Sequence, residues 1–106
     1  MYVLVMLNPE GQQKETAEMT ERHVRFITEL IRRNKILLGG GLEDSANPRR
    51  AAYLLKVASL DEGRSLASAD PLVCESAYAA SVVEWKLVGI NPDSIDQALV
   101  VRPEQV

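Results

Sequence analysis

The side chains best suited to chemistry in this sequence are its single histidine, His23, and Asp70, which comes directly before a proline. Apolar residues spaced at about 100° per residue predict a helix over residues 16–33, with His23 on its inner face. An imidazole set among apolar neighbours needs a hydrogen-bond partner or a ligand. If Asp70 is that partner, it can hold one ring nitrogen while the other nitrogen faces a pocket as a general acid or base.

Spacing alone leaves other interpretations of this pair open. His23 could be a core histidine with a satisfied hydrogen bond, and Asp70 could be a simple helix cap. The pair could also hold a metal, but two protein ligands are too few for a structural zinc site, so we expect no metal. The single cysteine, Cys74, lies in an apolar run and is interpreted as a buried thiol rather than as a nucleophile.

A run of three glycines, residues 39–41, follows the second predicted strand. Glycine in a strand lets another molecule approach the backbone, so Gly40 and Gly41 are predicted to form the wall of a substrate pocket. A bulge or a sharp bend is the alternative. Tyr53 and Trp85 are predicted to line the same flat pocket for a ring-bearing substrate, although a tryptophan that belongs only to the core also fits the pattern.

The hydrophobic pattern predicts six main elements in the order strand, helix, strand, strand, helix, strand. The strands are residues 1–8, 36–38 with the glycines that follow, 50–58 and 79–88; the helices are 16–33 and 59–69, with a short helical turn at 72–76 and a polar loop at 43–49. Two crossover units of this kind favour an α+β, ferredoxin-like βαββαβ fold. In that fold a four-stranded antiparallel sheet carries both helices on one face.

The predicted sheet leaves a second, helix-free face that needs cover. The strand over residues 1–8 is apolar on both sides, whereas a strand with one wet face would alternate apolar and polar residues. An exposed face of that kind would be too large an apolar patch for a monomer. We therefore expect a homodimer, or a higher homo-oligomer, in which two sheets pack face to face around a two-fold axis.

Length and composition predict a single domain over residues 1–106, with a core at 1–88 and a C-terminal extension at 89–106. The extension is expected to contain a short helix or strand at 95–101 and to act as a strap over the partner subunit or as a lid. A net charge of −3 with mixed signs argues against a nucleic-acid partner. Without a basic leader or an apolar run of about 20 residues, we expect a cytoplasmic protein that does not bind a membrane.

Several of these segments together resemble the YciI-like (YCII-related) family of the dimeric α+β barrel superfamily. The resemblance covers residues 1 to about 88 and rests on these segments: Met1-Tyr2-Val3, His23 on the first helix, Ile36-Leu37-Leu38-Gly39-Gly40, Ala69-Asp70-Pro71-Leu72-Val73 and Val83-Glu84-Trp85. It implies the ferredoxin-like dimeric barrel and a His-Asp dyad in a small pocket, carried here by His23 and Asp70. Lyase-type dehydrohalogenation of hydroxylated aromatics is among the activities attached to the family.

The sequence departs from the family pattern at two positions. Gly41 stands where many relatives have proline, and Leu72 stands where many have an aromatic residue. Both departures predict a more open pocket and a different substrate.

The resulting expectation is a small, cofactor-independent enzyme that transfers a proton, of lyase, isomerase or hydrolase type. Its substrate would be a small metabolite, with aromatic compounds among the candidates. His23 would be the base, and Asp70 would orient it. The alternative is a non-catalytic, dimeric accessory module that binds a small-molecule ligand.

Overall fold

The computed structural model describes residues 1–43 and 50–106, so most of the predicted polar loop at 43–49 lies outside the described residues. The main elements are β1 (Tyr2–Asn8), α1 (Ala17–Arg32), β2 (Ile36–Leu42), β3 (Arg50–Lys56), α2 (Leu60–Ala69), α3 (Pro71–Cys74) and β4 (Ala79–Glu84). Three short 3₁₀ turns follow, at Pro92–Ser94, Gln97–Leu99 and Pro103–Gln105. The main order is the predicted βαββαβ, with α3 as the predicted short helical turn.

The four strands form one antiparallel sheet in the order β2-β3-β1-β4. Helix α1 carries the chain from β1 to the far edge, and β3 then fills the place between β2 and β1. Helix α2 carries the chain across to the other side of β1, where β4 pairs. This is the strand order of the ferredoxin-like fold, and it confirms the predicted fold class.

The two longer helices begin and end at residues suited to those positions. At the start of α1 the Thr16 hydroxyl accepts a hydrogen bond from a first-turn amide at 3.2 Å, and Asn34 follows its end with a left-handed φ of 56°. At the start of α2 the Ser59 hydroxyl accepts from the Glu62 amide at 3.1 Å. The Glu62 carboxylate accepts from the Ala58 amide at 2.7 Å, one residue before the amide that a capping box uses. Among the described residues, no helix is long and apolar enough to cross a membrane.

The hydrophobic core lies between the sheet and the helices. On β1, Val3, Val5 and Leu7 face the helices and are buried, as alternation along a strand requires. Helix α2 packs so closely on this strand that a Cβ at Gly63 would come within 3.0 Å of Val3. The buried apolar cluster consists of Val3, Val5, Leu7, Leu30, Tyr53, Leu55, Val57, Ala67, Leu72 and Ala77. One chain therefore completes the helix-bearing face of its own sheet.

The second strand runs through the three glycines, as predicted, and ends one residue beyond them. β2 thus ends at Leu42 and pairs with β3 over its length. The one register shift in this pairing lies between Ile36 and Leu38, before the glycines. The bulge that was an alternative interpretation of the glycine run is therefore present, but at a different place.

The fourth strand is shorter than predicted. β4 ends at Glu84 rather than at residue 88, because its partner β1 begins at Tyr2 and offers no further strand to pair with. The Trp85 amide makes one more bond, to the Tyr2 carbonyl at 2.9 Å. The helix or strand predicted at 95–101 is a 3₁₀ turn at Gln97–Leu99, with irregular chain on both sides.

The face of the sheet opposite the helices carries partly exposed apolar side chains. Leu54 of β3 pairs in register with Leu4 and with Leu38, and Leu4 pairs with Val83, so these residues share this face. Leu54 at the centre is buried, whereas Leu38 is 57% exposed and Val83 is 47% exposed. Within one chain this helix-free face is uncovered at both edges.

Candidate active site

Asp70 is fully buried at the junction of α2 and α3. It caps α3, because its Oδ1 accepts a hydrogen bond from the Leu72 amide at 3.0 Å. Pro71 occupies the first position of α3, where it has no amide that would need a partner. The Asp-Pro pair thus turns the chain and leaves the carboxylate on the inner side of the helix layer.

His23 on α1 meets this carboxylate. Its Nδ1 lies 2.8 Å from Oδ1 and 3.0 Å from Oδ2 of Asp70, a contact between residues 47 positions apart. Because a carboxylate accepts and does not donate, we assign Nδ1 as the donor, which leaves a lone pair on Nε2. The His23 side chain is 18% exposed, so the ring is not sealed in the core.

Tyr53 adds a third member to this network. Its hydroxyl donates to Oδ2 of Asp70 at 2.9 Å, and the residue is 4% exposed. Burial and the adjacent Asp70 carboxylate raise the pKa of Tyr53 well above its usual value. The phenol therefore keeps its proton and acts only as a donor to Asp70. Tyr53, predicted to bind substrate, thus forms a hydrogen bond to the aspartate of the dyad.

A second link between α1 and the end of α3 lies beside the dyad. Nη2 of Arg22 lies 2.6 Å from Oε1 and 2.5 Å from Oε2 of Glu75. The hydrogen bond to Glu75 raises the pKa of Arg22, although burial acts in the opposite direction. Helical spacing predicts that Arg22 pairs with Glu18. In the structure Arg22 Nε lies 3.8 Å from Oε1 of Glu18, farther than the Arg22–Glu75 contact. No local pattern marks a contact across 53 residues, so the sequence alone does not predict it.

The structure does not bring the other predicted substrate-binding residues together around His23 within one chain. Gly40 occupies a register position of the helix-free face, and a Cβ there would meet no atom within 4 Å. Trp85 follows β4 at the opposite edge of the sheet and is about half exposed. Gly41 pairs with Ala51 on the helix-bearing side and is exposed. The sheet thus separates Gly40 and Trp85 from the dyad, and their role toward a substrate stays a prediction.

The clefts on the described surface include two that neither His23 nor Asp70 lines. The larger, about 360 Å³, is lined by residues 9, 11–15, 77 and 78, and the smaller, about 300 Å³, lies between α2, α3 and β4. In the larger cleft the Tyr78 hydroxyl donates to Glu15 at 2.6 Å, and Glu15 also accepts from the Thr20 hydroxyl. Thr20 lies one helical turn before His23 on α1, so this polar wall is continuous with the helix that carries the dyad histidine.

The remaining candidates for chemistry are metal ligands and the cysteine. Residues 1–43 and 50–106 contain no group of three or more His, Cys, Asp or Glu side chains placed to hold a metal ion. Cys74 is exposed, so the prediction of a buried thiol is wrong. It closes a single-turn helix whose inner side is occupied by Leu72, which turns the thiol outward.

The sequence and fold are similar to those of known proteins. The family model for the YCII-related domain matches residues 1–86. The uncharacterized protein YjpA of Bacillus subtilis (strain 168) is 29% identical over 87 residues, covering 82% of this chain and 98% of that protein. A solved structure of 5-chloro-2-hydroxyhydroquinone dehydrochlorinase (TftG) from Burkholderia phenoliruptrix AC1100, in complex with 2,5-dihydroxybenzoquinone, superposes with a TM-score of 0.56 at 20% identity. That superposition covers 81% of this chain and 94% of the dehydrochlorinase and shows a shared fold.

Proposed function

The chain belongs to the YCII-related domain family, and on this basis we propose that it is an enzyme that transfers a proton on a small, ring-bearing metabolite. The observation that carries the proposal is the contact of His23 Nδ1 with the buried Asp70 carboxylate, at 2.8 and 3.0 Å. His23 Nε2 is the proton acceptor. Asp70 holds the ring in one orientation and stabilises the imidazolium that forms.

Removal of a proton is the first half of an elimination. His23 Nε2 takes a proton from an acidic hydroxyl or C–H group of the substrate, and the electron pair left behind forms a new double bond. The bond to the leaving group breaks, and the leaving group takes the electron pair of that bond. The substrate therefore loses a proton and an anion in total. If the proton returns to another atom instead, the same first step gives an isomerisation.

The chemistry named for a protein of the same fold supports an elimination. TftG is named as a dehydrochlorinase of a chlorinated hydroxyhydroquinone, and its structure holds a dihydroxybenzoquinone. Both compounds are rings that carry hydroxyl groups, from which a positioned base can take a proton. We propose the same class of substrate for this chain: a hydroxylated aromatic or quinoid ring with a leaving group.

A module that binds a small molecule without chemistry is the second candidate function. It is favoured by the place of the larger cleft, which lies at the loop before α1 rather than at His23. A ligand held there would be bound by the polar groups of that loop and would not need the imidazole.

Turnover of chlorinated and unchlorinated hydroxyhydroquinones tests these two functions. The wild-type chain is expected to release chloride and to exchange ring hydrogen for deuterium from the solvent, both measurable in solution. His23→Ala and Asp70→Asn are expected to lower turnover by about 10²–10⁴-fold, the usual contribution of a positioned acid or base. Arg25→Ala, on the exposed side of α1, is the matched control and should retain full turnover.

Two outcomes would count against a proton-transfer enzyme that uses the dyad. Full turnover in His23→Ala would remove the dyad from the chemistry. Binding of the same compounds with neither chloride release nor hydrogen exchange, unaltered in His23→Ala, would support the binding module instead.

A further inference from the structure

We propose that Tyr53 is a positioning residue for the His-Asp dyad and that Gly39 is the residue that makes room for it. The inference rests on the proposed function, because it concerns how the base of that function is held. Tyr53 acts on His23 only through Asp70.

The Asp70 carboxylate is fixed at both of its oxygens. The Leu72 amide donates to Oδ1 at 3.0 Å, and the Tyr53 hydroxyl donates to Oδ2 at 2.9 Å. His23 Nδ1 approaches both oxygens at once, at 2.8 and 3.0 Å. Without the Tyr53 hydroxyl, this buried carboxylate would lose its second anchor and could turn about its Cβ–Cγ bond. The ring that it holds would then lose its single orientation.

The position of Tyr53 depends in turn on the neighbouring strand. Tyr53 stands opposite Val5 of β1 and Gly39 of β2. A Cβ at Gly39 would lie 3.0 Å from the Tyr53 Cβ and 3.2 Å from the Ala52 carbonyl oxygen. Directly opposite Cβ atoms in a sheet are normally about 4.5–5.5 Å apart. Any side chain at residue 39 would therefore press on Tyr53 or separate the strands.

The glycine run supplies a matched control for this effect. A Cβ at Gly40, the next residue of the same strand, would meet no atom within 4 Å. Gly39→Ala and Gly40→Ala each add one methyl group to β2, and only the first presses on Tyr53. Tyr2→Phe is the corresponding control for Tyr53→Phe, because it removes a hydroxyl from a tyrosine on the other face of the sheet.

Nitrogen NMR of the His23 ring tests the proposal, because the shifts of the two ring nitrogens report which one carries the proton. The chain has one histidine, so the assignment is direct. The wild-type ring is expected in the Nδ1–H form. Tyr53→Phe and Gly39→Ala are expected to lower the ratio of Nδ1–H to Nε2–H forms roughly fivefold, the worth of one hydrogen bond. Tyr2→Phe and Gly40→Ala should leave the ratio unchanged.

The outcomes separate this proposal from the proposed function. If Asp70→Asn alters the ring ratio while Tyr53→Phe and Gly39→Ala do not, the dyad stands and the positioning role is overturned. If Asp70→Asn also leaves the ratio unchanged, the proposed orienting role of the aspartate fails. A purely structural Tyr53 would lower thermal stability without altering the ring, which again counts against the proposal. Should Gly39→Ala fail to fold, Tyr53→Phe, which keeps the aromatic ring, decides alone.

Discussion

The two faces of the sheet differ in how completely one chain covers them. On the helix-bearing face Val5 and Leu55 are fully buried, and so is Asp70. On the helix-free face Leu38 and Trp85 are about half exposed, although the strands are apolar on both sides. The difference is the cover that α1, α2 and α3 provide. The buried carboxylate lies where the chain itself excludes water, and the opposite face is available for contact with another molecule.

The largest expected effect is a difference in the free energy of unfolding between variants of one buried and one exposed leucine. Leu55→Ala leaves a cavity in the core and is expected to lower the free energy of unfolding by about 2–5 kcal/mol. Leu38→Ala, on the helix-free face, is expected to change it by less than about 0.5 kcal/mol in dilute solution. Denaturant unfolding followed by circular dichroism measures both. Equal losses would show that the two faces are equally well covered.

We propose that a second copy of the chain covers the helix-free face, and a charge placed there tests it. Leu38→Asp would bury an unpaired carboxylate between the two sheets and should weaken self-association by at least roughly tenfold. Sedimentation over a range of protein concentrations measures this effect. Val24→Asp, on the exposed margin of α1, is the control and should associate like the wild type.

A wild-type chain that stays monomeric at all accessible concentrations would contradict this assembly. Denaturant unfolding at several protein concentrations extends the comparison of the leucines. If two copies associate, the loss of stability in Leu38→Ala should grow with protein concentration, by mass action. The loss in Leu55→Ala should stay constant, because its contacts lie within one chain.

The order of the elements and the individual placements of His23 and Asp70 could be predicted because they depend on local signals. Their contact is one interpretation among several from spacing, and the family resemblance implies it. The Asp-Pro pair caps and starts α3 whatever surrounds it, and helical spacing places His23 on the inner side of α1. In a βαββαβ chain the two crossover helices lie on the same face, so the fold allows these side chains to meet. The structure shows that contact.

The rest of the candidate site depends on register, which local patterns do not determine. Tyr53 is one aromatic residue in an apolar strand, and its bond to Asp70 follows from the pairing of β3 with both neighbours. The glycine run predicts one pocket wall, although alternation along β2 places the two predicted pocket residues, Gly40 and Gly41, on opposite faces. The link from Arg22 to Glu75 joins residues far apart in sequence. Each of these features requires the assembled sheet.

The smallest expected effect is a difference between the tyrosines of the two faces in the pH dependence of the free energy of unfolding. Burial and the nearby Asp70 carboxylate raise the pKa of Tyr53 in the folded chain, whereas in the unfolded chain a tyrosine loses its proton near pH 10. The folded chain therefore binds more protons above that pH. The stabilisation from Tyr53 is complete below about pH 10 and is lost as the pH rises further. The free energy of unfolding of the wild type should fall by up to about 1.4 kcal/mol per pH unit more than that of Tyr53→Phe.

Denaturant unfolding between about pH 9 and 11 measures this slope for the wild type and for two variants. Tyr2→Phe, on the helix-free face, should keep the wild-type slope, because the tyrosine that it replaces does not contact Asp70. Tyr53→Phe should lose the extra slope while keeping most of its core contacts, since only a hydroxyl is removed. One common slope for all three chains would mean that Tyr53 titrates as freely in the folded state as in the unfolded state. The buried hydrogen bond to Asp70 would then have no energetic consequence. Tyr53 on the helix-bearing face and Tyr2 on the helix-free face would affect the pH dependence of stability alike.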